Sequence, residues 1–454
     1  MAAWAAICFF KVYQSSDPTG GDGYFYLKQI DWLADHFQFY HADYSFFFLP
    51  TALIYKIAGS SLLAYQIVTS FSLFLMTTSL GLIFLDQISW VQSRAVRIII
   101  SVVFALVVAM QACTLKLSFE FAKNGLAQGF LLFGIYLYLE KHYKTCLVFF
   151  LLAALTHKLM ILFLLLFGFF KLVDLYRWRK PSLKMAMIGL TFFCLSILAA
   201  LIVFPRLAKH IQNFYDHFYI EKTFFMYFEN QLVARPLIAL TFFWLLLGCF
   251  FLLKRKSALF STLIFSALLP FLPLFAGYNI EIKYRLFLQS FTFAAIVFAG
   301  SLPFIKKQKL QVGLVFLSLV LLSYEATTYS GFPWIMNWSD KIRNLDQLNQ
   351  HVAATDELVT HHGLQFYIDY KTPIRARSMV AQNRKPRYQI AFTPAFYHLN
   401  ADLSDEIRQI EILSLGSSYG LFEYDDFQSL MKQFPMLSDW RNQFQVRPDF
   451  VQDY

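Results

Sequence analysis

Apolar residues recur in long runs, at 62–85, 98–112, 121–139, 146–173, 185–204, 236–253, 258–276, 286–302 and 310–324, each followed by a short polar connector. About 20 apolar residues cover a hydrocarbon core of about 30 Å, so the pattern predicts membrane-spanning helices. Residues 24–37 read differently. They put Tyr24, Leu27, Ile30, Leu33 and Phe37 on one helical face and Lys28, Asp31 and Asp35 elsewhere, which predicts a helix lying in the interface. An aromatic cluster at 46–48, Pro50 and a second amphipathic stretch to Ala58 follow. Residues 1–13 would span only about 20 Å as a helix, and are expected to be the end of a first membrane helix whose beginning is missing or unusually short. After Tyr329 the chain turns polar, with strand-like alternation at 357–360, 388–392 and 411–415 and helix-like runs at 338–352 and 425–434. The expected fold class is mainly α: a polytopic transmembrane bundle of about 10–11 membrane segments with interfacial helices in the first external loop, plus a small C-terminal α/β soluble domain. The expected domains are 1–328, containing that loop at 14–59, and 329–454.

Composition agrees with this class. Of 454 residues, 57% are hydrophobic and only 15% charged, and the mean hydropathy is +0.49, a balance foreign to soluble proteins. The net charge of +10 does not point to nucleic acid. Its excess sits in the connectors, at Arg94 and Arg97, Lys141 and Lys144, residues 171–184, Lys254-Arg255-Lys256, and Lys306, Lys307 and Lys309, where cytoplasmic loops carry it. The five cysteines show neither CxxC nor Cys/His spacing, so neither a disulfide framework nor a zinc site is suggested. No period of 20–50 residues recurs.

The run 146–173 has basic clusters at both ends and Thr156-His157-Lys158 in its middle. A single span would hold Lys158 at depth, which costs several kcal/mol. A hinge at 156–158 removes both conflicts, because irregular backbone is tolerated where it lines a cavity. The hinge puts Asp22, 116–123, 156–158, 206–231, 277–285 and everything after Tyr329 on the external side.

The loop after residue 13 contains Asp17-Pro-Thr-Gly-Gly-Asp22-Gly-Tyr-Phe-Tyr26. Pro18 and the glycines predict a turn, and a carboxylate at the membrane edge is costly unless used or solvated. Asp17 alternatively initiates the turn through its side chain. His41-Ala-Asp43 is a candidate for a divalent cation, though His-x-Asp is common in loops. His157 reads equally as a packing histidine, Lys158 as a snorkelling one, and Arg285 as a headgroup anchor.

The order of these features resembles the membrane glycosyltransferases of the GT-C superfamily, in particular polyprenyl-phosphate-sugar-dependent enzymes such as the dolichyl-phosphate-mannose mannosyltransferases (family 39), of bacterial type. The matching stretches are Gly21-Asp22-Gly-Tyr-Phe-Tyr26, Leu49-Pro50 through Gly59-Ser60, Ala153-Ala-Leu-Thr-His157-Lys158, Lys283-Tyr284-Arg285-Leu-Phe-Leu and Glu357-Leu-Val-Thr-His-His362-Gly-Leu-Gln-Phe-Tyr367. Many members carry Asp-Glu at the loop acid, whereas here Gly follows Asp22. The resemblance implies transfer of a hexose or pentose from a polyprenyl-phosphate donor to an external glycan, lipid or protein acceptor, with inversion, in a bacterial inner membrane. It implies no certain cofactor. Asp22 is then the expected base, with Asp17 as the second catalytic candidate. Arg285 and Lys283 are the expected phosphate partners, beside Tyr284, with Lys158 and Lys123 in reserve. His157, Tyr26, His41 and Asp43 complete the expected substrate-binding set. Lys123-Asn124-Gly-Leu-Ala also resembles membrane polysaccharide polymerases of the EpsG type. A flippase of lipid-linked sugars is a further alternative, but it predicts inverted repeats, and the halves of this chain do not resemble each other.

Overall fold

The computed structural model of the chain describes residues 2–20, 22–40, 43–179, 235–252, 257–271, 280–328, 341–360, 362–377, 386–392, 401–416 and 419–433. The expected run at 185–204, the loop 206–231 and the cluster Lys254-Arg255-Lys256 lie outside them. The helices are α1 (Ala2–Tyr13), α2 (Gly23–His36), α3 (Phe48–Ala58), α4 (Ser61–Gln87), α5 (Arg94–Ala109), α6 (Ala112–Phe119), α7 (Ala122–Leu139), α8 (Tyr143–Thr156), α9 (Leu159–Arg179), α10 (Arg235–Phe251), α11 (Ala258–Leu268), α12 (Ile280–Ser301) and α13 (Gln308–Thr328). A more polar tail follows, with α14 (Leu345–His351), β1 (Leu358–Val359), α15 (His362–Lys371), β2 (Ala376–Arg377), β3 (Tyr388–Phe392), α16 (Ala401–Ile410), β4 (Glu411–Ser414), β5 (Tyr419–Glu423) and α17 (Tyr424–Gln433).

The chain is mainly helical with a small C-terminal sheet. Among the described residues, three helices are long and apolar enough to cross a membrane: Ser61–Gln87, Arg285–Phe304 and Gln308–Ala326. A fourth span is added if Arg94–Ala109 and Ala112–Phe119, bent by 67°, count as one. The apolar run 98–112 therefore does not end where its hydropathy does. Gln111 marks the bend, its amide Nε2 donating to Val107 O at 2.8 Å and Leu322 O at 2.9 Å. Shorter apolar helices at Ala2–Tyr13, Phe48–Ala58, Tyr143–Thr156, Leu237–Phe251 and Ala258–Phe271 accompany the long ones. The basic connectors at Arg94, Lys141, Lys144, Lys306, Lys307 and Lys309 are exposed.

The contacts divide the chain into two units: Met1–Phe10, Tyr44–Pro50 and Ile67–Pro333, and then Lys11–Asp43, Thr51–Gln66 and Trp334–Tyr454. The first is built around α12, which packs against α6, α10 and α11. Its core is aromatic. Trp244 is fully buried, stacks on Phe298 at 5.2 Å, meets Phe291 at 5.8 Å and donates its indole N–H to Ser318 Oγ at 3.1 Å. Phe104 stacks on Phe84 at 4.1 Å. Such rings bury large areas, and the indole N–H finds a partner as burial requires. By contrast α13 leaves Val312, Phe316 and Val320 exposed at every fourth position, the face a span turns toward lipid.

The second unit holds a five-stranded sheet of order β2-β1-β3-β5-β4. Strand β1 pairs in parallel with β2 and β3, and β5 pairs antiparallel with β3 and β4. Ile407, Phe422, Phe427 and Leu430 form a small core on it. Strands β1, β3 and β4 fall on the stretches whose alternation marks them, β2 and β5 lie outside those stretches, and the strand order is set by pairings across the tail. In the same unit α15 packs on α2. Tyr24 lies against Tyr367 and Tyr370, with ring centroids 5.0 and 5.4 Å away, and Phe25 lies against Phe366 at 5.2 Å.

Candidate functional site

The expected hinge residues interrupt the helix. Helix α8 ends at Thr156, His157 is extended (φ −151°, ψ 132°), and α9 begins at Leu159. A helix end leaves carbonyls without intrahelical donors. Here the segment before α3 supplies them: Ser45 Oγ donates to Thr156 O at 2.6 Å and Phe46 N to Leu155 O at 3.0 Å. His157 caps the other side of the break, its Nδ1 accepting from Leu159 N at 3.2 Å. That bond leaves the proton of a neutral imidazole on Nε2.

His157 is 8% exposed. Burial holds its imidazole well below the ordinary histidine range, and the charges of Lys123, Arg285 and Lys158 push it further down. The four expected residues are thus gathered around one helix break. Phe121 carries the Arg285 guanidinium over its ring at 4.6 Å, and Phe48 lies 5.8 Å from Lys123 Nζ. Cations that converge beside a helix N-terminus suit an anion, and Arg adds a planar fork matched to phosphate. Lys283 and Tyr284 fall near the start of α12, and their side chains lie outside the described residues.

The carboxylate loop lies in the second unit. The turn is closed by Gly20, at φ 76°, and by Gly23, where a Cβ would stand 2.7 Å from Pro18. Asp17 and Asp22 are held differently. Asp17 is 1% exposed and accepts a short hydrogen bond from Tyr24 Oη. Burial, with that bond, raises the Tyr24 phenol strongly, and the Tyr367 phenol is pushed up to about 12 by burial and then by Asp17. Asp17 thus ties α2 to the aromatic cluster on α15. Asp22 is half-buried at the N-cap of α2, and its carboxylate is not used to cap the helix. Tyr26 is buried and stacks on Tyr65 at 5.7 Å. Asp43 is half-buried, and His41 lies outside the described residues. No group of three His, Cys, Asp or Glu that could hold a metal ion stands together among the described residues.

Several residues at these places escaped the sequence reading. Phe121 and Ser45 carry no chemical signature of their own. Tyr24 is legible as an apolar position on an amphipathic face and as part of the stretch 21–26, but not as the partner of Asp17. Asp31, also on α2, is half-buried beside Ser61 and Tyr370. Burial raises its carboxyl above the ordinary value of 3.8; hydrogen bonds from Ser61 and Tyr370 oppose the rise, and Asp35 adds to it. A raised folded value means the ionised form is disfavoured in the fold. Its contribution to stability is present below the ordinary value and is lost as pH rises through the raised one. Asp31→Asn should therefore raise the thermal midpoint at neutral pH and leave it unchanged in acid. Melting curves of both proteins from pH 4 to 7 check this; equal midpoints throughout would refute it.

Neither a protein-family model nor a curated protein sequence matches the chain. Solved structures do. The apo oligosaccharyltransferase of Archaeoglobus fulgidus superposes with a TM-score of 0.53 at 12% identity, covering 90% of this chain and 68% of that one. The same enzyme tethered to an acceptor peptide containing the NVT sequon gives 0.54 at 11% identity, covering 89% and 71%. The archaeal oligosaccharyltransferase AglB from the same organism, in complex with an inhibitory peptide and a dolichol-phosphate, gives 0.53 at 12% identity, covering 90% and 68%. At such identity the likeness is one of fold: the chain shares the fold of these oligosaccharyltransferase structures, and its long apolar helices make it an integral membrane protein.

Proposed function

We propose that the protein is a polyprenyl-phosphate-dependent glycosyltransferase that moves a hexose or pentose to an external glycan, lipid or protein acceptor with inversion. The observation that carries this reading is the gathering of Lys123, Lys158 and Arg285 around buried His157 at a helix break. It is supported by a fold shared with a protein seen bound to dolichol-phosphate. In the proposed reaction the acceptor hydroxyl oxygen bonds to the anomeric carbon. The bond from that carbon to the phosphate oxygen breaks, and polyprenyl phosphate leaves with the electron pair. Asp22 takes the hydroxyl proton. One carboxylate suffices because the leaving group is already a stabilised anion and needs no acid. Arg285, with Lys283, Lys158 and Lys123, takes up the charge that grows on the phosphate. His157, with its proton on Nε2, adds a neutral donor. The proposal places the protein in a bacterial inner membrane, with about 10–11 membrane segments, which requires the shorter apolar helices to cross as well. Residues after 329 are external.

The test is incubation of the purified protein with a panel of polyprenyl-phosphate sugars and a mixed glycan and peptide acceptor pool, scoring release of polyprenyl phosphate. Release from at least one donor is expected. No release from any donor, with movement of such lipids across vesicles, would replace the reading with a flippase.

A further inference from the structure

Helices α7 and α12 meet at two points that are seven residues apart on each of them. Phe121, just before α7, pairs with Arg285, and Gln128 pairs with Thr292, at the same offset of 164 residues. Phe121, Asn124 and Gln128 share one face at helical spacing, as do Arg285, Gln289 and Thr292 on the facing helix. Beginning at the basic cluster, a seam of amides thus runs one to two helical turns into the bundle, about 5–10 Å.

The seam is buried. Asn124 is 1% exposed, Gln128 0% and Gln289 3%. Gln128 Nε2 donates to Thr292 Oγ1 at 2.7 Å, and Thr292 Oγ1 donates to Gln289 O at 2.8 Å. That pair is ordinary polar glue between membrane helices. Four atoms remain beyond it. Asn124 Oδ1, Asn124 Nδ2, Gln128 Oε1 and Gln289 Nε2 have no protein hydrogen-bond partner among the described residues. Native interiors hold few such groups, and polar residues facing the inside of a membrane bundle mark substrate paths.

The chemistry of the seam selects its ligand. It carries amides and a hydroxyl and no charge, so it does not hold the anion. It offers donors and acceptors side by side, which a lipid tail does not use and which sugar hydroxyls, themselves both donors and acceptors, do. We infer that Asn124, Gln128 and Gln289 form the sugar-recognition subsite, taking the hydroxyl or acetamido groups of the donor whose phosphate sits at Lys123, Lys158 and Arg285. The inference rests on the lipid-phosphate-sugar reading above and adds the part of the chain that selects the sugar.

The test uses full-length purified protein and two kinds of probe: bare decaprenyl phosphate, and decaprenyl phosphate carrying glucose, mannose or N-acetylglucosamine. Wild type should bind one sugar-bearing probe at least about tenfold tighter than the bare carrier. In Asn124→Leu/Gln289→Leu that preference should vanish, while affinity for the bare carrier stays within about twofold. The thermal midpoint should hold or rise, because an apolar side chain of similar shape replaces an unsatisfied amide. If the double variant does not fold, Gln289→Met is read by the same ratio, and a reduced preference is expected. Preference retained in the variants overturns the inference, as does a fall in midpoint with loss of bare-carrier binding, which would make the amides structural. Wild type that binds the bare carrier without sugar preference overturns this inference alone. Wild type that binds neither probe overturns the proposed function with it.

Discussion

Replacing Asp22 with asparagine should lower sugar transfer by at least about two orders of magnitude, the usual worth of a general base. Folding should survive the change. Asp22 sits at the N-cap of α2 with φ −90° and ψ 3°, and its carboxylate does not cap the helix, so asparagine keeps the backbone while removing the basic carboxylate. Donor binding should change little, since the carboxylate acts on the acceptor hydroxyl. Asp17 gives the contrast. It is buried and holds Tyr24, so Asp17→Asn replaces a charge-assisted bond by a neutral one, about half as strong. A lower thermal midpoint is expected there, with turnover of the folded protein within about tenfold of wild type. Release of polyprenyl phosphate at saturating donor, beside a melting curve for each variant, separates the two. Near-normal turnover in Asp22→Asn would discard Asp22 as the base. A large loss in Asp17→Asn at unchanged stability would move the role there.

Arg285→Ala should reduce both donor affinity and turnover, with turnover falling about 10²–10³-fold, the range seen when one preorganised donor to a developing anion is lost. The interaction strengthens as charge grows on the leaving oxygen, so the effect on the transition state exceeds that on the ground state. Arg285→Lys should restore only part of it. Lysine keeps the charge but neither the bidentate fork nor the flat stacking on Phe121. A second readout is independent of the substrate. Arg285 is one of the charges that lower His157, so Arg285→Ala should raise the pH at which that imidazole protonates, followed by NMR of the labelled ring. Equal donor affinity in wild type and Arg285→Ala would remove Arg285 from the phosphate site.

Much of the helical architecture was legible because it is written locally. The run at 62–85 becomes α4, the run at 121–139 becomes α7, and the conflict between Lys158 and an unbroken span marks the break at His157. What was hidden depends on distant contacts. Tyr24 looks like one more apolar position until Tyr367 and Tyr370 are seen around it. Asp17 and Asp22 share one turn in the sequence, and only the structure shows Asp17 buried with Tyr24 and Asp22 half-buried at the N-cap of α2. The run 98–112 has no breaker that foretells a 67° bend. Asn124, Gln128 and Gln289 are single amides inside apolar stretches. Their spacing of four on α7 was visible, but the register that aligns them with α12 was not.

The order of synthesis gives the discontinuous second unit a temporal side. Lys28 bonds to a carbonyl 341 residues further along the chain, at Asp369. At about 5–20 residues per second, a ribosome takes roughly 20–70 s to cover that distance. The carboxylate loop thus emerges long before the helix that completes its surroundings. Until α15 is made, Tyr24 and Phe25 lack the rings that bury them, and Asp17 is anchored to an unfinished helix face. Ribosomes stalled short of residue 362 would carry α2 without the rings of α15 that cover Tyr24 and Phe25, so the second unit closes only when α15 arrives.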